Sequence, residues 1–427
     1  MTARADDVPR LAIACQGGGA HTAFTAGVLA YLFLSFEHFR REGQENRWFR
    51  LQGLSGTSGG ALTAALAWSQ ADSWATGARR VLHYWNRNKA SLELAGKAPL
   101  WWGEYFTNKA AQFALSLQDW LPDVSVPPSP YVSALLQARM KDDLRATVGL
   151  SAGAERFFGR DGLDLFVGAV DVLGYPDHPQ SAFRTFPERP GAGIRLDELL
   201  ASACIPELFV AGPLEVDSRS RPGHREARFF WDGLYSQNPP INDFFINRPR
   251  DDKPDLLWVV QINPNQYGGS ACGPVTPSEQ IDRRNELSGN LSLGQELRSI
   301  DVVNKIATQL SGLRKLPADL ADYKRVTVSV VGLGERPRKD FAGVRLDYAS
   351  KLNRDPAFID ALIAEGIAAA AEAACGGQLL QPHPSMSRQH CRCDFSNPDW
   401  PDPRDLAAFL ADDPALARQW AVLAASA

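Results

Sequence analysis

Near its N-terminus the chain twice runs from a short apolar stretch through a glycine-rich turn into a helical pattern, and this repeat constrains the fold more than any other feature. The first unit is Leu11-Ala-Ile-Ala-Cys15, then Gln16-Gly-Gly-Gly-Ala20, then an apolar helix through Gly27-Val-Leu-Ala-Tyr-Leu-Phe-Leu34. The second is Trp48-Phe-Arg-Leu-Gln-Gly-Leu54, a turn at Ser55 to Gly60, and a helix from Ala61 towards Trp68. Strands joined through helices lie parallel, and a parallel sheet needs helices on both faces to bury it. Further apolar runs at Leu163–Val172, Leu256–Ile262 and Val326–Val331 read as strands of the same kind. The expectation is one α/β layered domain with a mostly parallel sheet. At 44% hydrophobic and 22% charged residues the chain has enough apolar material for a large core, which excludes disordered and fibrous classes.

Two regions break the rhythm. Residues 89–132 are rich in aromatics and prolines, among them Trp101, Trp102, Tyr105, Phe106, Phe113 and Trp120, and read as an insertion that covers the sheet or lines a cleft. After Cys375 a proline-rich segment carries His383, His390, Cys391 and Cys393 ahead of an amphipathic helix near Asp405–Ala424. That spacing matches no standard zinc pattern, so no metal is expected. Forty-five basic against forty-nine acidic residues give a net charge of −4 without long runs of either sign, so nucleic acid is not an expected partner. No apolar leader precedes Pro9, and the uncharged stretches Gly59–Trp68 and Ile367–Cys375 are too short to cross a membrane. A cytoplasmic protein, with any membrane contact peripheral, is the expectation.

The chemistry concentrates in three places. Gly56-Thr57-Ser58-Gly59-Gly60 is a G-x-S-x-G sequence between a strand and a helix, where Gly56 and Gly60 let a sharp turn hold the Ser58 hydroxyl in the open. A second copy, Gly149-Leu-Ser151-Ala-Gly153, follows a polar helical segment and has no strand to enter from, which marks it as accidental. Gly17, Gly18 and Gly19 can turn several backbone N–H groups inward as an anion or oxyanion nest. A dinucleotide fingerprint would need glycine where Thr22 stands, and a P-loop would need Gly-Lys-Ser/Thr. A serine nucleophile needs a base. His383 and His390 sit in the proline-rich tail, whereas Asp232, in Phe229-Phe-Trp-Asp232-Gly233, ends an apolar strand and is the better candidate.

Together, Gly17-Gly-Gly19, Gly56-x-Ser58-x-Gly60 and Asp232-Gly233, in this order, resemble the patatin-like phospholipase family of serine acyl hydrolases with a Ser-Asp dyad. Ala201-Ser-Ala-Cys-Ile-Pro206 and Asn238-Pro239-Pro240 are similar to further pieces of its pattern. The resemblance implies a three-layer α/β/α sandwich over 9–375, with the insertion at 89–132, a helical segment at 265–325, and a polar tail and helix at 376–427. It implies Ser58 as nucleophile, Asp232 as general base, the Gly17–Gly19 loop as oxyanion hole, and a lipid or other acyl ester as substrate, with no metal or cofactor. The loop departs from the family pattern: Gln16 opens it where the family has Asp, and His21-Thr22 closes it where the family has a cation and glycine. His21 is therefore a candidate for oxyanion or head-group support. An acyltransferase, a polyester esterase and a silent lipid-binding protein remain open as alternatives. The segment from Ser278 to about Leu313 is amphipathic and reads as a packing helix.

Overall fold

The computed structural model describes residues 8–427 except 47–48, 70–71, 91–107, 109–128, 176–181, 190, 207, 222, 268–271, 313–319, 334–340 and 375–399. Most of the aromatic insertion and the whole Cys/His cluster of the tail therefore lie outside the described residues. The chain begins with β1 (Arg10–Cys15), passes a 3-10 turn at Gly19–Thr22 into α1 (Ala23–Arg41), returns as β2 (Arg50–Thr57) and leaves in α2 (Gly59–Trp68). Next come α3 (Trp74–Asn88), α4 (Pro130–Val148), β3 (Arg156–Phe157), β4 (Asp164–Asp171), β5 (Phe183–Phe186), β6 (Ile194–Arg195) and the short α5 (Leu196–Ser202). The rest holds β7 (Pro213–Asp217), β8 (Arg225–Asp232), β9 (Leu256–Gln261), α6 (Pro277–Leu310), β10 (Thr327–Gly332), α7 (Pro356–Ala374) and α8 (Pro414–Ser426).

Both strand–turn–helix units form. The second strand runs three residues beyond the apolar pattern, because Ser55, Gly56 and Thr57 are buried and paired with β4, the first two also with β1. The sheet order is β10-β9-β1-β2-β4-β8-β7, with β5 also on β4. Pairings from β10 through β4 are parallel; β8, β7 and β5 are antiparallel. Composition explains the division. Leu-Leu-Trp-Val-Val-Gln of β9 is buried almost throughout, as a strand covered on both faces must be, whereas Arg-Glu-Ala-Arg-Phe-Phe-Trp-Asp of β8 keeps charges that only an outer strand can solvate.

Side chains alternate along β1 between two cores. Leu11, Ile13 and Cys15 join α1, α2, α3 and α7, while Ala12 and Ala14 face Leu293, Leu297 and Ile300 of α6. This is the expected three-layer sandwich. α1 is apolar on every side because the sheet, α3 and α7 all press on it. Unlike the two shorter stretches named above, the segment Gly19–Arg41 is apolar and long enough to cross a membrane, yet 94% of its 18-residue apolar window is buried within the fold. The crossing with α7 is backbone on backbone: a Cβ at Gly27 would overlap the carbonyl of Ile363, and one at Gly366 that of Phe24. The C-terminal segment shares the same core, through Trp400 stacked near Tyr31 and Phe49 and through fully buried Trp420. α6 is set by a capping box, Thr276 with Glu279, and by Pro277 in its first turn.

Candidate active site

Register alone carries the three sequence-predicted segments to one place. Thr57 of β2 pairs with Gly168 of β4, and the next residue, Ala169, pairs with Asp232 of antiparallel β8. Asp232 therefore ends its strand level with Ser58, across β4. On the other side of β2, Cys15 pairs with Gly56, so the glycine loop leaves β1 beside the same turn.

Ser58 caps α2 with φ 56° and ψ −132°, a left-handed conformation in a residue with a Cβ. Such backbone costs about 1–3 kcal/mol and persists only where the surroundings impose it. The surroundings are specific. A Cβ at Gly56 would lie 2.7 Å from the Gly60 oxygen, and one at Gly60 would lie 2.5 Å from the carbonyls of Cys15 and Gln16. The second G-x-S-x-G has none of this: Gly149 is the left-handed C-cap of α4, and Ser151 sits exposed in the turn behind it.

Hydrogen bonds lock these segments together. Ser58 N–H donates to Ser202 Oγ at 3.0 Å, and Ser202 Oγ donates to the Gly168 carbonyl at 2.6 Å. Thr57 Oγ1 donates to the Gln237 carbonyl, Gly17 N–H to Asn238 Oδ1 at 2.7 Å, and Asp232 N–H to the Cys204 carbonyl at 2.9 Å. The fully buried Asp232 carboxyl also accepts from Leu234 N–H at 2.8 Å. Burial first, and the Asp232 charge second, push the Cys204 thiol up to about 12, so it stays un-ionised beside the acid. The pieces at Ala201–Pro206 and Asn238–Pro240 thus have a mechanical purpose: the first holds the Ser58 and Asp232 backbones through Ser202 Oγ and the Cys204 carbonyl, and the second holds Gly17 through Asn238 Oδ1.

Ser58, Asp232 and Gly17–Gly19 line one cleft of about 420 Å³, counting the part open to solvent. Its apolar wall is Ile205, Leu208, Leu234 and Leu352, and Asn285, Tyr348 and Lys351 complete it. A second cavity, among Phe36, Phe39, Phe49 and Trp74, holds no nucleophile and lies at the far end of α1. Two expectations need correction. The Gly17 N–H is engaged by Asn238, so among the described residues the loop amides without an internal acceptor are those of Gly18 and Gly19. His21 does not enter the cleft: its Nε2 is 2.8 Å from Ser350 Oγ and its ring packs edge-on to Phe358.

Gln16, the altered loop opening, is a fastener. Its Oε1 accepts from the N–H groups of Ile262 and Asn263 at 2.8 Å each, and its Nε2 donates to Asn290 of α6. Sequence reasoning missed Lys351 altogether. Lys351 is buried and lines the cleft, and its Nζ donates to Asn263 Oδ1 at 2.9 Å and to Oδ1 of Asn285, which lines the same cleft. Only its position beside the glycine loop reveals it, since Ala-Ser-Lys-Leu carries no local signature.

Fold and site together define a class, an α/β sandwich with a serine on a strained strand-to-helix turn, a carboxylate level with it, and a glycine loop alongside. A protein-family model, Patatin-like phospholipase, matches residues 13–245, just over half of the chain. The chain belongs to that family, whose members are in general lipid acyl hydrolases. A comparison with curated proteins returned no match. Among solved structures the chain is similar to VipD from Legionella pneumophila, at 13% identity and a TM-score of 0.31, over 83% of this chain and 67% of that one. A likeness this slight carries no argument about activity.

Proposed function

We propose that the protein is a serine lipid acyl hydrolase that cleaves carboxylic esters through an acyl-enzyme on Ser58. The observation that carries this reading is the left-handed backbone of Ser58 on a cleft wall shared with Asp232 and the Gly18–Gly19 amides. Ser58 Oγ attacks the ester carbonyl while the Asp232 carboxylate takes its proton, and the tetrahedral oxyanion is held by the Gly18 and Gly19 N–H groups. Collapse breaks the bond to the alcohol, which leaves with the proton from Asp232. Water then gives a proton to Asp232 and attacks the acyl carbon; the acid departs and the proton returns to Ser58. The apolar wall of Ile205, Leu208, Leu234 and Leu352 suits an acyl chain. Tyr131, Val132, Leu135 and Leu136 at the exposed start of α4 support peripheral contact with a lipid surface.

Ser58→Ala and Asp232→Asn test the dyad against p-nitrophenyl butyrate and a fluorophosphonate probe. Each variant should lower kcat by about 10³-fold or more and Ser58→Ala should abolish labelling, while both keep the wild-type circular dichroism spectrum. Wild-type turnover by folded Ser58→Ala would overturn the assignment.

A further inference from the structure

The loop that opens on Gln16 lacks the cation that its family pattern places there, yet a cation stands in the cleft. It comes from the 3-10 turn Ala349–Leu352, far outside the family-matched segment. The turn sits directly on the glycine loop: a Cβ at Gly19 would collide with the Lys351 carbonyl. It is held there from behind by the His21–Ser350 hydrogen bond, while Ser350 Oγ also donates to the Asp347 carbonyl at 2.9 Å. His21 is thus a positioning residue for the Lys351 turn.

The ammonium is in an unusual state. Its two partners, Asn263 Oδ1 and Asn285 Oδ1, are neutral amide oxygens, and among the described residues no carboxylate lies within ion-pair distance. A buried charge held only by neutral dipoles keeps much of its desolvation cost, and an anion entering the cleft would offset it. Burial pulls the Lys351 pKa down, while Asp282, Glu286, Asp347 and Asp232 favour the charged form from a distance. A cation kept in a substrate cleft at a cost in stability points to a substrate that carries the opposite charge.

We propose that Lys351 is the anion-recognition residue of this cleft, receiving the phosphate oxygen of an acyl ester whose phosphate lies close to the scissile bond, as in a lysophospholipid. This rests on the reading of Ser58 as nucleophile. The ester carbonyl would occupy the Gly18–Gly19 amides, the acyl chain would lie along Ile205, Leu208 and Leu234, and the phosphate would meet the hydrogen-bonded Lys351–Asn285 pair, all of them residues that line the cleft. The amides of Asn263 and Asn285 aim the ammonium without neutralising it, which a carboxylate partner would do.

The test compares lysophosphatidic acid with a monoacylglycerol of the same acyl chain, in wild type and in Lys351→Met. Wild type should prefer the phosphate ester, and the ratio of kcat/KM between the two substrates should fall about 100-fold in the variant, the loss expected for one charge-assisted hydrogen bond in a water-poor cleft. Inorganic phosphate should inhibit wild-type hydrolysis of the neutral ester competitively, and the variant much less. Urea melts control for folding, since the variant leaves Asn263 Oδ1 and Asn285 Oδ1 without their Lys351 donor and should be somewhat less stable on that account. An equal loss on both substrates in folded variant would assign Lys351 a structural role and overturn the proposal. So would complete loss of fluorophosphonate labelling at Ser58, which would make Lys351 the base. If wild type is itself unlabelled and turns over neither ester, it is the Ser58 reading that fails.

Discussion

Removing the Ser202 hydroxyl tests whether the serine turn is held from behind. Ser202→Ala deletes two buried hydrogen bonds at once, from Ser58 N–H and to the Gly168 carbonyl. An orphaned buried donor costs about 1–3 kcal/mol, and a carbonyl with a second lone pair falls at the lower end of that range. The unfolding free energy should therefore drop by about 2–4 kcal/mol, within the typical total of about 5–15 kcal/mol, so the variant stays folded at room temperature. Function should suffer more selectively. With its N–H released, Ser58 can leave φ 56°, a conformation that stores about 1–3 kcal/mol, and relaxation moves Oγ away from the Gly18–Gly19 amides. A displacement of about 1 Å costs up to about 100-fold in rate, so kcat on a nitrophenyl ester should fall by about 10–100-fold with KM little changed. Urea melts followed by tryptophan fluorescence and initial-rate kinetics give both quantities. Ser35→Ala is the control, because among the described residues that buried hydroxyl bonds only the Tyr31 carbonyl of its own helix. Wild-type kcat in a Ser202→Ala protein that is destabilised as expected would refute the idea that this bond holds the nucleophile.

The strain itself is measurable: Ser58→Gly should be more stable than Ser58→Ala by about 0.5–2 kcal/mol, since glycine relieves the left-handed backbone at some entropic cost in the unfolded chain. Equal urea midpoints for the two would show that the turn is not strained. A different region governs pH dependence. Glu296 accepts from the N–H groups of Ile241 and Asn242, and burial, with help from the Asp243 charge, pushes its pKa up to about 8. The folded state then holds a proton that the unfolded state releases from about pH 4.5 upward, so this group's contribution to stability falls as pH rises from there to about 8. Glu296→Gln should flatten that slope and melt higher than wild type at pH 9; parallel stability–pH curves would remove Glu296 from the account.

Legibility in the sequence tracked how local the determining contacts are. The β1 and β2 units, the serine turn and the amphipathic segment that became α6 were readable because each is specified by its own neighbours: apolar period, glycine, cap. The two G-x-S-x-G copies separated on the same ground, strand before one and polar helix before the other. Glycine and polar residues at Ser55, Gly56 and Thr57 masked the end of β2, since burial between two partner strands overrides their loop-like composition. β5 and β7 escaped notice because short outer strands carry mixed polarity. What escaped entirely was pairing across the chain. Nothing near Gly17 announces that Asn238 takes its N–H, nothing near His21 announces Ser350, and nothing near Lys351 announces Asn263 and Asn285.

Those distant pairings divide the work of the site between two parts of the chain. Residues 13–245, the family-matched segment, carry the serine, the acid and the glycine loop. Yet β1 is clamped between β2 and β9, and its loop is fastened through Gln16 to Ile262, Asn263 and Asn290, all beyond that segment. α6 reaches the loops closely because residue 289 is glycine: a Cβ there would stand 2.6 Å from Asn238 Nδ2 and 2.8 Å from Asn263 Nδ2. From the same helix Asn285 reaches Lys351, and Asn285, Tyr348, Lys351 and Leu352 line the cleft that also holds Ser58 and Asp232. On the proposed reading, the first part fixes the serine and the acid, and the second completes the sheet that holds them and supplies part of the cleft lining. Variation in the second part can therefore change what the cleft binds through residues other than Ser58 and Asp232, since Asn285, Tyr348, Lys351 and Leu352 all line it.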